Sequence, residues 1–160
     1  MSPAIAFGKY QLFERINIGG MAEVFRARAF GVQGFERILA IKRILPNIAD
    51  DEEFINMFID EARIAVQLTH PNVVQIYELG RFEGQYYIAM EYISGRDLKQ
   101  VLEHSIKRKQ PLPMGIAAYI VAGVCEGLDY AHHKKDPMGR PLGLIHRDVT
   151  PQNVLLSYDG

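Results

Sequence analysis

The sequence predicts an α+β fold in which a sheet-rich half precedes a mainly helical half, and three observations carry this. Up to about residue 90 apolar residues alternate with polar ones in short runs punctuated by turn residues, the period of half-buried strands. Beyond Ser94-Gly95 the apolar residues recur at helical spacing instead. The chain has 160 residues, 48% hydrophobic and 23% charged, enough to bury one core and free of low-complexity sequence.

Tyr10 to Ile16, Glu23 to Ala29 and Arg37 to Ile44 are the first three strands, joined by Gly19-Gly20 and by the Gly31 to Gly34 loop. A helix follows from Asp51 to about Leu68. Asp50 to Glu53 place acids at its positive end, with Asp50 or Asp51 as the cap, and His70-Pro71-Asn72 stops it because a residue before proline is pushed out of helical geometry. Val73 to Leu79 and Gln85 to Glu91 flank a Glu83-Gly84 turn and form an antiparallel hairpin. Asp97 to Ser105 and Pro113 to His132 are helices, and the turn-rich stretch from Lys134 to Leu144 is an exposed hairpin or loop. Val154 to Ser157 is a last strand, and Tyr158-Asp159-Gly160 after it is a hairpin signal that calls for a returning strand. The strand edge is therefore expected to be bare.

Several classes are excluded at this level. Eighteen basic residues stand against nineteen acidic ones, so the net charge of −1 offers no bulk attraction for nucleic acid or anionic lipid. The single cysteine, Cys125, closes no internal disulfide and supports no Cys-based zinc site; its place on an apolar helix predicts a core residue. Met1 to Tyr10 lacks the pattern of a secretory signal, and a cytoplasmic location is expected. The longest apolar stretch, Ile116 to Cys125, is half of the ~20 residues that span a bilayer, so a buried helix is expected and no membrane segment. Adjacent His132 and His133 diverge on a helix and make a poor metal site.

Two charges sit where strand and helix periods place core residues. At ~100° per residue, Phe54, Phe58, Glu61, Ala65 and Leu68 fall within roughly 80° of one helix face. Glu61 thus faces the core and needs a cationic partner, or it lies at the rim and reaches water. In Ile38-Leu39-Ala40-Ile41-Lys42 the only charge is Lys42, which shares a face with Ile38 and Ala40 and is a candidate partner. A third group is polar: His146-Arg147-Asp148-Val149-Thr150-Pro151-Gln152-Asn153 precedes an apolar strand. It is either a connector or a catalytic loop, in which Asp and Asn five residues apart present a carboxylate to a hydroxyl and an amide oxygen to a metal.

In this order and spacing, Leu39-Ala40-Ile41-Lys42, Glu61, and His146-Arg147-Asp148 with Asn153 resemble the signature set of eukaryotic-like serine/threonine protein kinases of the bacterial branch. The resemblance runs from about Tyr10 to the last residue. It implies a bilobal fold: a five-stranded antiparallel sheet with one helix over residues 10–90, a hinge over 91–96, and an incomplete, mainly helical lobe over 97–160. It implies ATP and Mg2+ as cofactors and serine or threonine hydroxyls of proteins as acceptors. Lys42, held by Glu61, meets the α- and β-phosphates; Asp148 is the catalytic base, Asn153 a magnesium ligand, and His146 and Arg147 support the loop. Met90 matches the gatekeeper, and Glu91, Tyr92 and Ile93 the hinge whose backbone reads adenine. Asp97 matches the acid that meets the ribose, and Ile16, Val24, Ala40 and Leu155 the apolar plates around the base. Asn17, Gly19 and Gly20 fall in the loop that covers the phosphates. The motifs encode neither the substrate protein nor the oligomeric state.

The sequence also departs from the pattern. The glycine-rich loop G-x-G-x-x-G-x-V aligns with Asn17-Ile18-Gly19-Gly20-Met21-Ala22-Glu23-Val24, retaining only the middle glycine. Thr150 stands where serine/threonine kinases usually carry a lysine, so a hydrogen-bond donor replaces a charge. Residues 1–160 contain no D-F-G motif, and phosphoryl transfer in this family needs its aspartate as well as the Lys–Glu pair. The 160 residues alone are expected not to transfer phosphate at a useful rate. The alternative is a truncated pseudokinase serving as a nucleotide-binding or protein-interaction module.

Overall fold

The computed structural model describes residues 4–31, 34 and 36–159, so part of the expected Gly31 to Gly34 loop, and Gly160 of the final turn, lie outside the described residues. The chain divides into two compact units, Met1–Thr69 with Val74–Tyr92, and His70–Val73 with Ile93–Gly160.

In the first unit the alternating segments form six antiparallel strands: β1 (Ile5–Phe7), β2 (Tyr10–Ile18), β3 (Ala22–Phe30), β4 (Glu36–Ile44), β5 (Ile76–Phe82) and β6 (Gln85–Met90), in the order β1-β2-β3-β4-β6-β5. The five expected strands are present. The sixth, β1, was not expected, because three residues are too few to show an alternation. It pairs with β2 through Ile5↔Leu12 and Phe7↔Tyr10, across a turn in which Gly8 takes φ +56°. Glu83 and Gly84, both at positive φ, make the tight turn of the β5–β6 hairpin. β5 starts at Ile76 rather than Val73, because His70–Val73 forms a turn that groups with the second unit.

Strand period divides the apolar residues between two faces. One face carries Phe7, Tyr10, Leu12, Phe25, Ala27, Leu39, Ile41, Tyr87 and Ala89. The other carries Ile44 and Ile88, packed against Phe58 and Ala62 of helix α1 (Glu52–Ala65). Asp51 caps α1, its carboxylate accepting from the Glu53 and Phe54 amides. The helix ends before the expected Leu68; tighter turns at Gln67 and Leu68 draw the chain in ahead of Pro71.

The sheet curls until its two edges meet. β1 and β5 stand at opposite ends of the strand order, yet the Phe7 ring lies 4.9 Å from that of Phe82 and 5.2 Å from that of Tyr87. Glu78 of β5 seals this closure. It accepts hydrogen bonds from Tyr10 Oη (2.7 Å) and Tyr87 Oη (2.8 Å) and pairs with Lys9 Nζ (2.6 Å). Gly80 is obligatory beside it, since a Cβ there would fall 2.3 Å from the Tyr87 ring.

The second unit contains β7 (Gly95–Asp97), α2 (Leu98–Lys107), α3 (Met114–His132) and β8 (Leu155–Ser157). Here β8 pairs antiparallel with β7 through Gly95↔Ser157 and Asp97↔Leu155, and its other edge is unpaired among the described residues, as expected. A Cβ on Gly95 would lie 1.8 Å from the Leu156 carbonyl oxygen, so that approach requires glycine. One expectation is corrected, because α3 is not buried: Met114 is 84% and Tyr119 79% exposed, Cys125 is exposed, and Gly127 is its one buried residue. Its packed side meets His70–Val73, with Asn72 Nδ2 donating to Glu126 and His70 stacked on Tyr130 at 5.0 Å. Among the described residues of this unit no further layer covers the rest. The 19-residue helix is also longer than the apolar core read from sequence, and its length and apolar character are shared by membrane spans and by core helices of soluble proteins. Between Lys134 and Leu142 the expected hairpin is present, tied by Asp136, which accepts from the Met138 and Arg140 amides and from Arg140 Nε.

Removing Glu78 leaves two shielded tyrosine hydroxyls unpaired, so Glu78→Ala is expected to destabilise the chain by about 2–4 kcal/mol in urea unfolding. Burial pushes the Glu78 carboxyl up, but the bonds from Lys9, Tyr10 and Tyr87 outweigh it and hold the group below its ordinary 4.5. Its contribution is therefore complete above about pH 4.5 and lost as pH falls through the depressed value. Glu78→Gln is expected to remove that part of the acid sensitivity; an unchanged acid profile would show the carboxylate is not its source.

Candidate functional site

In the first unit, strand pairing sets out the candidate residues in two cross-strand rows on the α1-facing side of the sheet. Val24 stands opposite Lys42 and Lys42 opposite Ile88; Arg26 stands opposite Ala40 and Ala40 opposite Met90. Val24, Ala40, Lys42 and Met90 therefore share one face. Ala40 is buried, and at its edge Lys42 Nζ meets Glu61 Oε1 at 2.6 Å. The pairing expected between these charges is present, but its setting is the rim rather than the core. The Glu61 side chain is 58% exposed and that of Lys42 26%. The helix face buries Phe58 and Ala62, which turns Glu61 out of the centre of the arc that sequence spacing gave it.

Ile16 and Asn17 lie on β2 where its register against β3 shifts, and Asn17 pairs with Val24 in strand geometry. The turn that follows is closed by Gly19 N donating to Ala22 O at 2.8 Å. Neither Gly19 nor Gly20 has a left-handed φ. A Cβ would meet Ala22 O at 3.6 Å on Gly19 and nothing within 4 Å on Gly20, so the fold itself does not demand glycine there. Glu91 continues the β5–β6 pairing: its amide donates to Gln75 O, and its carboxylate accepts from Gln75 N.

In the second unit the polar loop is organised around Asp148. Asn153 Nδ2 donates to the Asp148 carbonyl oxygen at 2.9 Å and to Asp148 Oδ2 at 2.8 Å, while Asp148 N donates to His146 Nδ1 at 3.3 Å. Arg147 takes φ +64°, a left-handed conformation costly for a residue with a Cβ and characteristic of functional loops. A single 3₁₀ turn over Pro151–Asn153 brings Asn153 back to Asp148. With its amide nitrogen engaged, Asn153 has its oxygen available for a cation. Thr150 Oγ1 is shielded and has no hydrogen-bond partner among the described residues. Asp97 caps α2 by accepting from Gln100 N at 2.8 Å and lies opposite Leu155, which is 48% exposed; Ile93 opens the unit and is half-buried. Among the described residues no three His, Cys, Asp or Glu groups cluster as a metal site.

The sequence did not single out the charged groups around β3. Glu23 is buried at 4% exposure and bound by Arg43 Nε (2.8 Å) and Arg15 (3.3 Å). Arg26, in the row with Ala40 and Met90, pairs with Glu14 and lies over the Tyr92 ring. The charges Glu14 and Arg15 on β2 and Glu23, Arg26 and Arg28 on β3 are the available signal, but they read equally as a solvated strand face.

Compared with known proteins, residues 10–160 match the model of the protein kinase domain. The tyrosine-protein kinase MasK of Myxococcus xanthus is 42% identical over 154 residues, which is 96% of this chain and 24% of that protein. The serine/threonine-protein kinase PknI of Mycobacterium tuberculosis is 34% identical over 158 residues, 98% of this chain and 25% of its own length. The crystal structure of the PknI kinase domain superimposes with a TM-score of 0.73 at 34% identity, covering 99% of this chain and 59% of that one. The chain thus spans about a quarter of the length of these curated relatives.

Because Glu61 is mostly exposed and Lys42 partly so, water solvates either partner alone, and Lys42→Met is expected to shift the unfolding free energy by less than about 1 kcal/mol. Glu23→Ala strands Arg43 beside two aromatic rings and is expected to cost about 3 kcal/mol. Equal losses in urea titrations of the two variants would contradict the rim position of Lys42.

Proposed function

The chain belongs to the protein kinase domain family, and from that membership we propose that it is the nucleotide-binding and catalytic-loop portion of an ATP-dependent kinase acting on serine and threonine hydroxyls of proteins. The observation that carries this reading is the Lys42–Glu61 pair at 2.6 Å, on the same strand face as buried Ala40. The second unit adds Asp148 and Asn153, joined by two hydrogen bonds.

Bound Mg2+ and ATP supply the transferable γ-phosphoryl group and the cation that offsets its charge. Lys42 holds the α- and β-phosphates, and Glu61 keeps its ammonium oriented without burying it. The open surroundings of Gly19 and Gly20 support a loop whose backbone can approach phosphate oxygens closely. Asp148 orients the acceptor hydroxyl and takes its proton as the oxygen bonds to the γ-phosphorus and the bond to ADP breaks. Asn153 fits the role of magnesium ligand, since its nitrogen is committed to Asp148 and its oxygen is not. In the first unit Met90 with Glu91 and Tyr92 is assigned to the base edge, and Ile16, Val24 and Ala40 to its face; in the second unit the family pattern assigns Ile93 and Leu155 to the base, and Asp97, with one oxygen on the Gln100 amide, has the other for the ribose. A donor nucleotide and an unpaired cysteine support a cytoplasmic placement for this domain.

Two observations favour a second acceptor class. Thr150 places a shielded, unpartnered hydroxyl where a lysine is usual, and the Myxococcus relative is named a tyrosine kinase. A phenol ionises far more readily than an aliphatic hydroxyl, so it relies less on a nearby cation.

Calorimetry on the 160-residue chain is expected to show ATP binding that Lys42→Ala weakens about tenfold or more, the loss of one charge-assisted phosphate contact. Unchanged affinity would remove Lys42 from the site. The chain contains no D-F-G aspartate, so radiolabelled ATP is expected to give no transfer; turnover abolished by Asp148→Ala would overturn that. In a transfer-competent form carrying these residues, phosphoamino-acid analysis separates serine and threonine from tyrosine acceptors.

A further inference from the structure

Arg26 lies at the side of the face that carries Ala40 and Met90, one strand further out in the same cross-strand row. Two residues of the first unit hold its guanidinium. Nη1 lies 3.4 Å from Glu14 Oε1, and the guanidinium carbon stands 5.5 Å from the centre of the Tyr92 ring, within cation–π range. The register of β2 shifts between Leu12 and Arg15, so Phe13 and Glu14 together oppose the Arg26 position. Such a bulge re-aims side chains, here bringing a carboxylate to the arginine. Arg26 Nε is shielded from water and has no acceptor among the described residues. A donor left in that state disfavours placing an arginine here for stability alone, and an exposed pair with Glu14 returns little.

We propose that Arg26 is a positioning residue for base recognition, fixing Tyr92, and with it the backbone on either side, by joining it to Glu14 across the sheet. This rests on the nucleotide-site reading given above. It adds a function for a residue outside the motif set. Glu91 is already locked at one end of the segment through Gln75, and the Arg26 contact fixes the next residue. With both held, the backbone that meets the base is arranged before binding, which lowers the ordering cost of recognition.

The test measures affinity of the 160-residue chain for adenosine, ATP and GTP by calorimetry, with thermal unfolding of each variant as the folding control. Arg26→Ala is expected to weaken adenosine and ATP by the same factor, about 5-fold for a lost cation–π contact, and to narrow the preference for ATP over GTP. Arg26→Lys is expected to recover most of the loss, and Arg26→Ala is expected to add nothing in a Tyr92→Ala background. Unchanged adenosine affinity in folded Arg26→Ala, or losses that simply add to those of Tyr92→Ala, would overturn the proposal. Lys42→Ala separates it from the underlying reading, because that variant should weaken ATP and spare adenosine. A folded wild-type chain that binds neither ligand would overturn the nucleotide site itself, and this role with it.

Discussion

Closure of the first-unit sheet onto itself is the constraint on which the rest of that unit depends. A strand has only two faces, and turning one of them inward, with Phe7 against Phe82 and Tyr10 and Tyr87 on Glu78, commits every second residue of β2, β3, β4 and β6 to an enclosed core. The residues in between are left to the other face, where α1 covers Ile44 and Ile88 and leaves Val24, Ala40, Lys42 and Met90 in line. A one-residue slip of β4 would send Lys42 into the aromatic core and bring Ile41 out. The closure thus fixes chemistry it does not touch.

The second unit reaches a comparable result by local means. Asp148 is exposed and carried on a loop, so no core orients it; its position comes from the Asn153 amide, the 3₁₀ turn at Pro151–Asn153 and the left-handed Arg147. Backbone strain of this kind persists only where surrounding bonds over-determine it. The pairing of β8 with β7 supplies part of that support, since it anchors the end of the loop next to Asp97 and α2.

Most of the strand plan and the Lys42–Glu61 partnership were legible in the sequence, because both depend on period and on the rule that charges on apolar faces need partners. What was missed depended on long-range geometry. β1 is three residues long and exists because β2 offers it an edge. β7 is equally short and is defined by β8, far along the chain. Glu61 was placed on the buried arc from spacing, yet an 80° arc has a rim, and the difference between Glu61 and Ala62 is one residue. The apolar character of α3 was clear, but burial needs a neighbour, and within that unit the turn at Asn72 packs against its glycine side while most of its apolar residues are left exposed. The motif residues were identified by order along the chain, whereas Arg26 became visible only when strand pairing set it beside Ala40.

The exposure of the Lys42–Glu61 pair bears on why it is there. Breaking a buried ion pair such as Glu23 with Arg43 is costly, because it leaves a charge largely without water. A pair that is 26% and 58% exposed carries little of that cost: water solvates either partner when the other is lost, and long side chains lose entropy by meeting. Its 2.6 Å contact therefore adds little to stability, yet it holds the Lys42 ammonium at a defined point on the face that carries Ala40. An ammonium fixed at that point and still partly hydrated can exchange its remaining water for phosphate oxygens at small cost, and a fully buried one could not. The same partial exposure that makes the pair negligible for folding is what leaves it free to serve a ligand.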